Sequence, residues 1–198
     1  MTSPLAPLAV DFIGSFPDPR HRLEPVLPEI AFLGRSNVGK SSLINAVTGR
    51  RIARTSGTPG KTQHLNAFRF PEFYLIDLPG YGYARLSQAE RRRLRALVDG
   101  VIRNRPALAV VVWLLDCRHP PSNDDLAMSE LLADAGRETI VVLTKTDKLS
   151  QSQRAAAIRA RADDLGLDPD LLVPTSSSRG TGIADLGELM LEAIREYR

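Results

Sequence analysis

The sequence predicts an α/β protein in three layers: a mostly parallel six-stranded sheet with about five helices distributed over both faces. Two observations carry that expectation. Short apolar runs alternate with amphipathic stretches of helical length. A glycine-rich turn also joins the first apolar run directly to the first helical stretch. Composition agrees: of 198 residues, 43% are hydrophobic and 25% charged, as in ordinary globular domains. A disordered chain, a collagen-like fibre and a coiled coil are excluded.

The chain divides at residue 28. Residues 1–28 carry six prolines (Pro4, Pro7, Pro17, Pro19, Pro25 and Pro28), which prevent a regular helix. They are expected to form an extended arm, with Val10 to Phe16 packing on the body. From residue 29 to residue 198 a single domain follows. Its predicted strands are Ile30–Leu33, Leu65–Phe70, Phe73–Ile76, Leu108–Leu115, Thr139–Leu143 and Leu171–Val173. Helices are expected near 40–48, 88–103, 123–135, 151–165 and 183–197. In the second of these, Leu94, Leu97, Val98, Val101 and Ile102 repeat on one helical face. The closing helix presents Ile183, Leu186, Leu189, Met190 and Ile194 as a packing face. No length remains for a second domain.

The longest apolar run, Ala107 to Leu115, is far short of the roughly 20 residues of a bilayer span, so no membrane segment is expected. The first residues lack the basic start and apolar stretch of a secretory signal. A single cysteine, Cys117, excludes an internal disulfide and fits a reducing, cytoplasmic setting, where it reads as a buried small hydrophobe. His21, His64 and His119 are too scattered for a metal site, and Trp113 reads as core. A formal net charge of +3 is too small to imply a nucleic-acid partner by itself.

Gly34-Arg35-Ser36-Asn37-Val38-Gly39-Lys40-Ser41 follows the first predicted strand and fits G-x-x-x-x-G-K-[ST] without mismatch. Such a loop curls backbone N–H groups around phosphate oxygens, and the helix after it adds its positive N-terminus. Lys40 would reach the terminal phosphates and the Ser41 hydroxyl would ligate Mg2+. Asp77-Leu78-Pro79-Gly80 ends the third strand as a D-x-x-G element. There Asp77 can hold the ion through water, while the Gly80 amide senses the γ-phosphate. Thr144-Lys145-Thr146-Asp147 follows the fifth strand. A carboxylate at Asp147 can accept from guanine N1–H and its exocyclic amine, a pair adenine lacks, with Lys145 lying along the base. Thr175-Ser176-Ser177-Ser178, after the last strand, would contribute backbone contacts to the guanine oxygen. Between the first helix and the second strand, Arg54 to Gln63 occupies the place of a mobile switch. Its Thr55, Thr58 and Thr62 are all candidates to reach the metal, and spacing does not choose among them.

Together these residues resemble a TRAFAC-class P-loop GTPase (G domain) and, more narrowly, the EngB (YihA/YsxC) family of ribosome-biogenesis GTP-binding proteins. The strings that carry the resemblance are LPEIAFLGRSNVGKSSLINAVTGR, ARTSGTPGKTQHLNAF, YLIDLPGYGYARLS and LTKTDKLS. The resemblance spans about residues 8–198. It implies that Thr62 is the threonine ligand of Mg2+ and that Gly60, Lys61, Thr62, Gln63 and His64 contact nucleotide, although His64 departs from the small or polar residue expected there. It also implies GTP and GDP as ligands, a late step of large-subunit (50S) ribosome assembly, and a link to cell division and septation. A monomer is expected, with Lys40, Thr62 and Gly80 as the catalytic set.

Ras-like enzymes carry a glutamine after D-x-x-G, whereas this chain has Tyr81, so slow intrinsic turnover is expected. Asn37 is a candidate K+ ligand; its alternative role is to order the loop by side-chain hydrogen bonds. Tyr81, Tyr83 and Arg85 lead into Arg91, Arg92, Arg93 and Arg95. Read alone, that stretch is a solvated helix face with ion pairs. With the resemblance it becomes an rRNA-contacting surface, where tyrosines stack on bases and arginines hold phosphates. The competing reading is a signalling-type GTPase whose effector is a protein of the division machinery. A P-loop metabolic kinase would need a lid for which no segment remains.

Overall fold

The structure is a computed structural model describing residues 2–54, 63–82 and 86–197. Seven strands form one sheet in the order β1-β3-β4-β2-β5-β6-β7. They are β1 (Asp11–Phe16), β2 (Glu29–Gly34), β3 (Leu65–Arg69), β4 (Tyr74–Asp77), β5 (Leu108–Asp116), β6 (Thr139–Thr144) and β7 (Leu172–Pro174). The five helices are α1 (Lys40–Thr48), α2 (Gln88–Asn104), α3 (Asn123–Asp134), α4 (Gln151–Leu165) and α5 (Ile183–Glu196). β2 pairs in parallel with β4 and β5, β5 with β6, and β6 with β7; only β3 runs antiparallel, to β4 and to β1.

Alternation along the central strands builds two cores. Ile30, Phe32, Val110, Val112 and Leu114 face α1 and α5, where they meet Leu43, Ile44, Val47, Leu186, Met190 and Ile194. Ala31, Leu33, Val111, Trp113 and Leu115 face the other way, onto Leu97, Val98, Val101, Met128, Leu132 and Ala162 of α2, α3 and α4. Strands buried on both faces read as continuous apolar runs, which is why these segments stand out in the sequence.

The sheet has seven strands rather than the expected six because part of the arm joins it. β1 pairs with β3 around an irregularity between Phe12 and Gly14, and the Ser15 hydroxyl donates to Asn66 Oδ1 at 2.6 Å. Its residues are exposed or half-buried, as befits an edge strand. On either side of β1 the arm reaches both layers of helices. Leu5 is fully buried in the α1–α5 core, and a methyl group at Gly187 would come within 2.6 Å of Ser3 Oγ. Farther along, a methyl at Gly100 of α2 would meet Pro19 Cγ at 2.7 Å.

Arg105, just past α2, holds this second contact in place. Its guanidinium forms a buried ion pair with Glu29 at the start of β2 and donates to the carbonyls of Pro19 and His21 at 2.8 and 2.9 Å. Removing one partner of such a pair strands a buried charge. Arg105→Met should therefore cost about 3–5 kcal/mol in urea unfolding. Glu29→Leu combined with Arg105→Met should cost less than Arg105→Met alone; a larger loss would mean that the contacts to the arm, not the ion pair, dominate.

Candidate functional site

All the parallel strands deliver their C-terminal ends to one edge of the sheet, and the predicted motifs gather there. β2 ends at Gly34, where any Cβ would lie 3.0 Å from the Leu114 carbonyl. Backbone crowding thus requires glycine. The loop then passes through two left-handed residues, Asn37 (φ 64°) and Gly39 (φ 108°), before α1 begins at Lys40. No side chain caps α1. By contrast, α2, α3 and α4 each start with a reciprocal serine capping box, at Ser87/Glu90, Ser122/Asp125 and Ser150/Gln153. The first N–H groups of α1 therefore face the loop without a side-chain acceptor, which is the arrangement that receives phosphate. Lys40 Nζ donates to Asp77 Oδ1 in a buried ion pair. Ser41 lies half-buried in the first turn of the same helix.

The D-x-x-G element is joined to this loop. Leu78 N donates to Phe32 O at 3.2 Å, Ser36 N to Tyr81 O at 2.9 Å, and Tyr81 N to Gly34 O at 3.4 Å. Pro79 and Gly80 are buried between these bonds. Gly82 (φ 74°) lies against the Arg35 guanidinium, 2.9 Å from where a Cβ would be.

At the other end of the edge, one residue binds three segments together. The Thr144 hydroxyl lies 2.7 Å from Val38 O and 3.1 Å from Leu115 O, linking the phosphate loop, β5 and β6. Lys145 (φ 62°) stretches back so that its ammonium donates to Asn37 O at 2.7 Å and Asp116 Oδ2 at 2.9 Å. Asp147 accepts from the Ser176 hydroxyl at 2.8 Å, and that bond chiefly holds its carboxyl below the usual range. Thr146 Oγ1 donates to Thr175 O at 2.8 Å, and Ser178 lies 3.1 Å from Ser176, so the serine loop is fixed beside Asp147. Ser177 is half-buried between them.

Asp116 was missed in the sequence. Burial opposes its ionisation, but hydrogen bonds from Arg118 and Lys145 hold its carboxyl well below the ordinary value. The signal was available: like Asp77, it is an acid ending an apolar strand at the motif-bearing edge. Next to it, Cys117 is buried as expected, and burial followed by the charge of Asp116 pushes its thiol up to about 11.

Tyr81 is half-buried, and its hydroxyl donates to Asp125 Oδ1 and accepts from Trp113 Nε1, each at 2.8 Å, a structural role that the sequence did not announce. Trp113 is core, as expected, but its indole N–H is also part of this network. Of the other predicted residues, Gly60, Lys61, Thr62, Tyr83 and Arg85 lie outside the described residues, as do Thr55 and Thr58. Gln63 is exposed and His64 half-buried where description resumes. Arg91, Arg92, Arg93 and Arg95 are all exposed on the first turns of α2. None forms an ion pair or side-chain hydrogen bond among the described residues. A groove of about 670 Å³ runs beside them between α2 and α3, and Gly80, Tyr81 and Gly82 help to line it. Among the described residues, no cluster of His, Cys, Asp and Glu could hold a metal, and no helix is long and apolar enough to cross a membrane.

Comparison with known proteins agrees with this geometry. A family model described as 50S ribosome-binding GTPase matches residues 29–145. A curated relative from Gemmatimonas aurantiaca, named "Probable GTP-binding protein EngB", is 47% identical over 175 residues, covering 87% of this chain and 86% of its own. A protein of the same name from Alkaliphilus metalliredigens is 46% identical over 179 residues, or 89% and 86% of the two chains. Among solved structures, one described as a probable GTP-binding protein engB superposes with a TM-score of 0.72 at 26% identity, over 85% of this chain and 99% of that one. With its phosphate loop, D-x-x-G and guanine-type carboxylate at one sheet edge, the chain belongs to the EngB family of P-loop GTPases.

Proposed function

We propose that this protein is a cytoplasmic, monomeric GTPase switch that assists assembly of the large ribosomal subunit by gripping rRNA beside its second switch, and that normal cell division and septation depend on it. The observation that carries this reading is the set Arg91, Arg92, Arg93 and Arg95. A solvated helix face of this composition would neutralise itself through intrahelical pairs. These four have no such partner among the described residues, whereas Arg103, farther along α2, does pair with Asp99 at 3.1 Å. Unpaired guanidinium groups beside a nucleotide-responsive element suit phosphodiester contacts. The description of the matching family model as ribosome-binding supports the same partner.

GTP would bind with its phosphates on the loop from Gly34 to Ser41 and its base between Lys145 and Asp147, with Ser176 to Ser178 closing over it. Lys40 and the Gly80 amide would stabilise charge on the terminal phosphate. The oxygens at this place suit Mg2+, a hard cation: the Ser41 hydroxyl has no hydrogen-bond partner among the described residues, and Asp77 is ion-paired with Lys40, the residue before Ser41. Ser41 and Thr62 would hold the ion, which would neutralise charge on the β- and γ-phosphates. The Tyr81 hydroxyl is engaged by Trp113 and Asp125 and cannot orient a water, which supports slow turnover. Asn37 is exposed and its side chain has no hydrogen bond among the described residues, leaving its amide oxygen available to K+.

Four outcomes test these roles. Sedimentation with purified large ribosomal subunits should show binding with a non-hydrolysable GTP analogue and loss with GDP. Arg92→Glu with Arg93→Glu should abolish that binding while leaving GTP affinity unchanged; unchanged co-sedimentation would move the partner to a protein effector. Asp147→Asn should weaken GTP binding by about 100-fold, because two charge-assisted hydrogen bonds are lost, and should improve binding of xanthosine triphosphate, whose 2-oxo group accepts from the new amide. Turnover should be faster in KCl than in NaCl at equal ionic strength, and equal rates would remove K+ from Asn37.

A further inference from the structure

We infer that Tyr81 is a positioning residue for recognition of the γ-phosphate: its hydroxyl, held between Trp113 of β5 and Asp125 of α3, fixes the Gly80 amide against the phosphate loop. The inference rests on the guanine-nucleotide reading of the site.

The phenol oxygen has one proton to give, and Asp125 Oδ1 takes it at 2.8 Å. The oxygen in turn accepts the Trp113 indole proton at 2.8 Å. Both supports are buried. Trp113 is 2% exposed in the middle of the sheet, and Asp125 is 4% exposed. The second carboxylate oxygen of Asp125 is occupied by Ser122, accepting from its N–H at 2.8 Å and its hydroxyl at 2.6 Å. The carboxylate therefore cannot turn without breaking the cap of α3. Burial, reinforced by the charge of Asp125, pushes the phenol well above its ordinary pKa, so it remains a proton donor.

The backbone of the same residue is held from the opposite side. Ser36 N donates to Tyr81 O, and Tyr81 N donates to Gly34 O. One residue earlier in the chain lies Gly80, and on its other flank Leu78 N donates to Phe32 O. Gly80 is thus bracketed, and the Tyr81 side chain adds hydrogen bonds from this bracket to Trp113 of β5 and Asp125 of α3. Glycine has no side chain of its own by which to be located, so the position of its amide depends on these neighbours. An amide held in place before the γ-phosphate arrives costs less ordering when it binds. GDP has no γ-phosphate and is indifferent to that gain.

Tyr81→Phe keeps the ring and removes both hydrogen bonds. In the full chain with Mg2+, its affinity for GDP should stay within about twofold of wild type, while the non-hydrolysable GTP analogue should bind about tenfold more weakly. Trp113 is the single tryptophan of the chain and reports directly on the link. Its emission should differ between the two nucleotides in the wild type and coincide in Tyr81→Phe. Asp125→Ala should show the same selective loss, and the double variant should be no worse than either single one, because both changes cut one link. A Tyr81→Phe protein that retains the wild-type affinity ratio and emission difference overturns the inference. So does an equal loss for both nucleotides, which would mark Tyr81 as packing alone. A wild-type protein that binds neither nucleotide overturns the guanine reading and the inference with it. Should Asp125→Ala fail to fold, Tyr81→Phe decides the matter.

Discussion

The site depends on the joint formed by the Thr144 hydroxyl and the Lys145 ammonium. Between them they bond to Val38 O, Leu115 O, Asn37 O and Asp116 Oδ2, so the phosphate loop, the end of β5 and the start of the guanine loop move as one piece. A nucleotide has a fixed distance between its base and its phosphates. A protein that grips both ends must therefore hold its own two grips at a fixed spacing, or lose affinity to reorganisation. Lys145 achieves this in an αL conformation that a non-glycine residue rarely adopts, which the surrounding bonds must maintain. Asp116 has its place in the design here: it is the counter-charge that holds the ammonium across the gap.

The opposite end of the sheet is built for rigidity. Arg105 joins the arm, β2 and the end of α2. Arg137 adds a second clasp, donating to the carbonyls of Ile102 at 2.6 Å and Arg105 at 3.1 Å. The C-terminal end of α2 is thus fixed by two guanidinium groups. At the N-terminal end of the same helix lie the exposed arginines.

Most of this architecture was legible because its causes are local. Val110 to Leu115 and Ile140 to Leu143 are apolar without interruption because both faces of those strands are covered. Ser87, Ser122 and Ser150 announce three helix starts, and the glycine-rich motif from Gly34 to Ser41 announces a fourth. β1 was hidden because an edge strand buries little and its alternation is broken near Ile13, so Asp11 to Phe16 carries no clear period. The hydrogen bonding of Tyr81 was hidden for another reason. Its partners, Trp113 and Asp125, lie far along the chain on two other elements, and no pattern local to Tyr81 announces them. Asp116 was overlooked because a single acid after a strand is common; its meaning comes from Lys145 reaching it.

The arm has a consequence for how the molecule is made. Ser3 and Leu5 rest in the layer formed by α1 and α5, and Gly187 is free of a side chain where Ser3 and Pro4 lie. Ser3 and Leu5 therefore lack part of their packing surface until α5 exists. A growing chain can pair β2, β4 and β5 and begin closing its sheet, but the packing of the arm stays incomplete until α5 has been made. Assembly of the phosphate loop can then precede closure of the domain. Docking of α5 thus fastens the arm to an element far along the chain, so a product lacking α5 would leave one side of Leu5 uncovered.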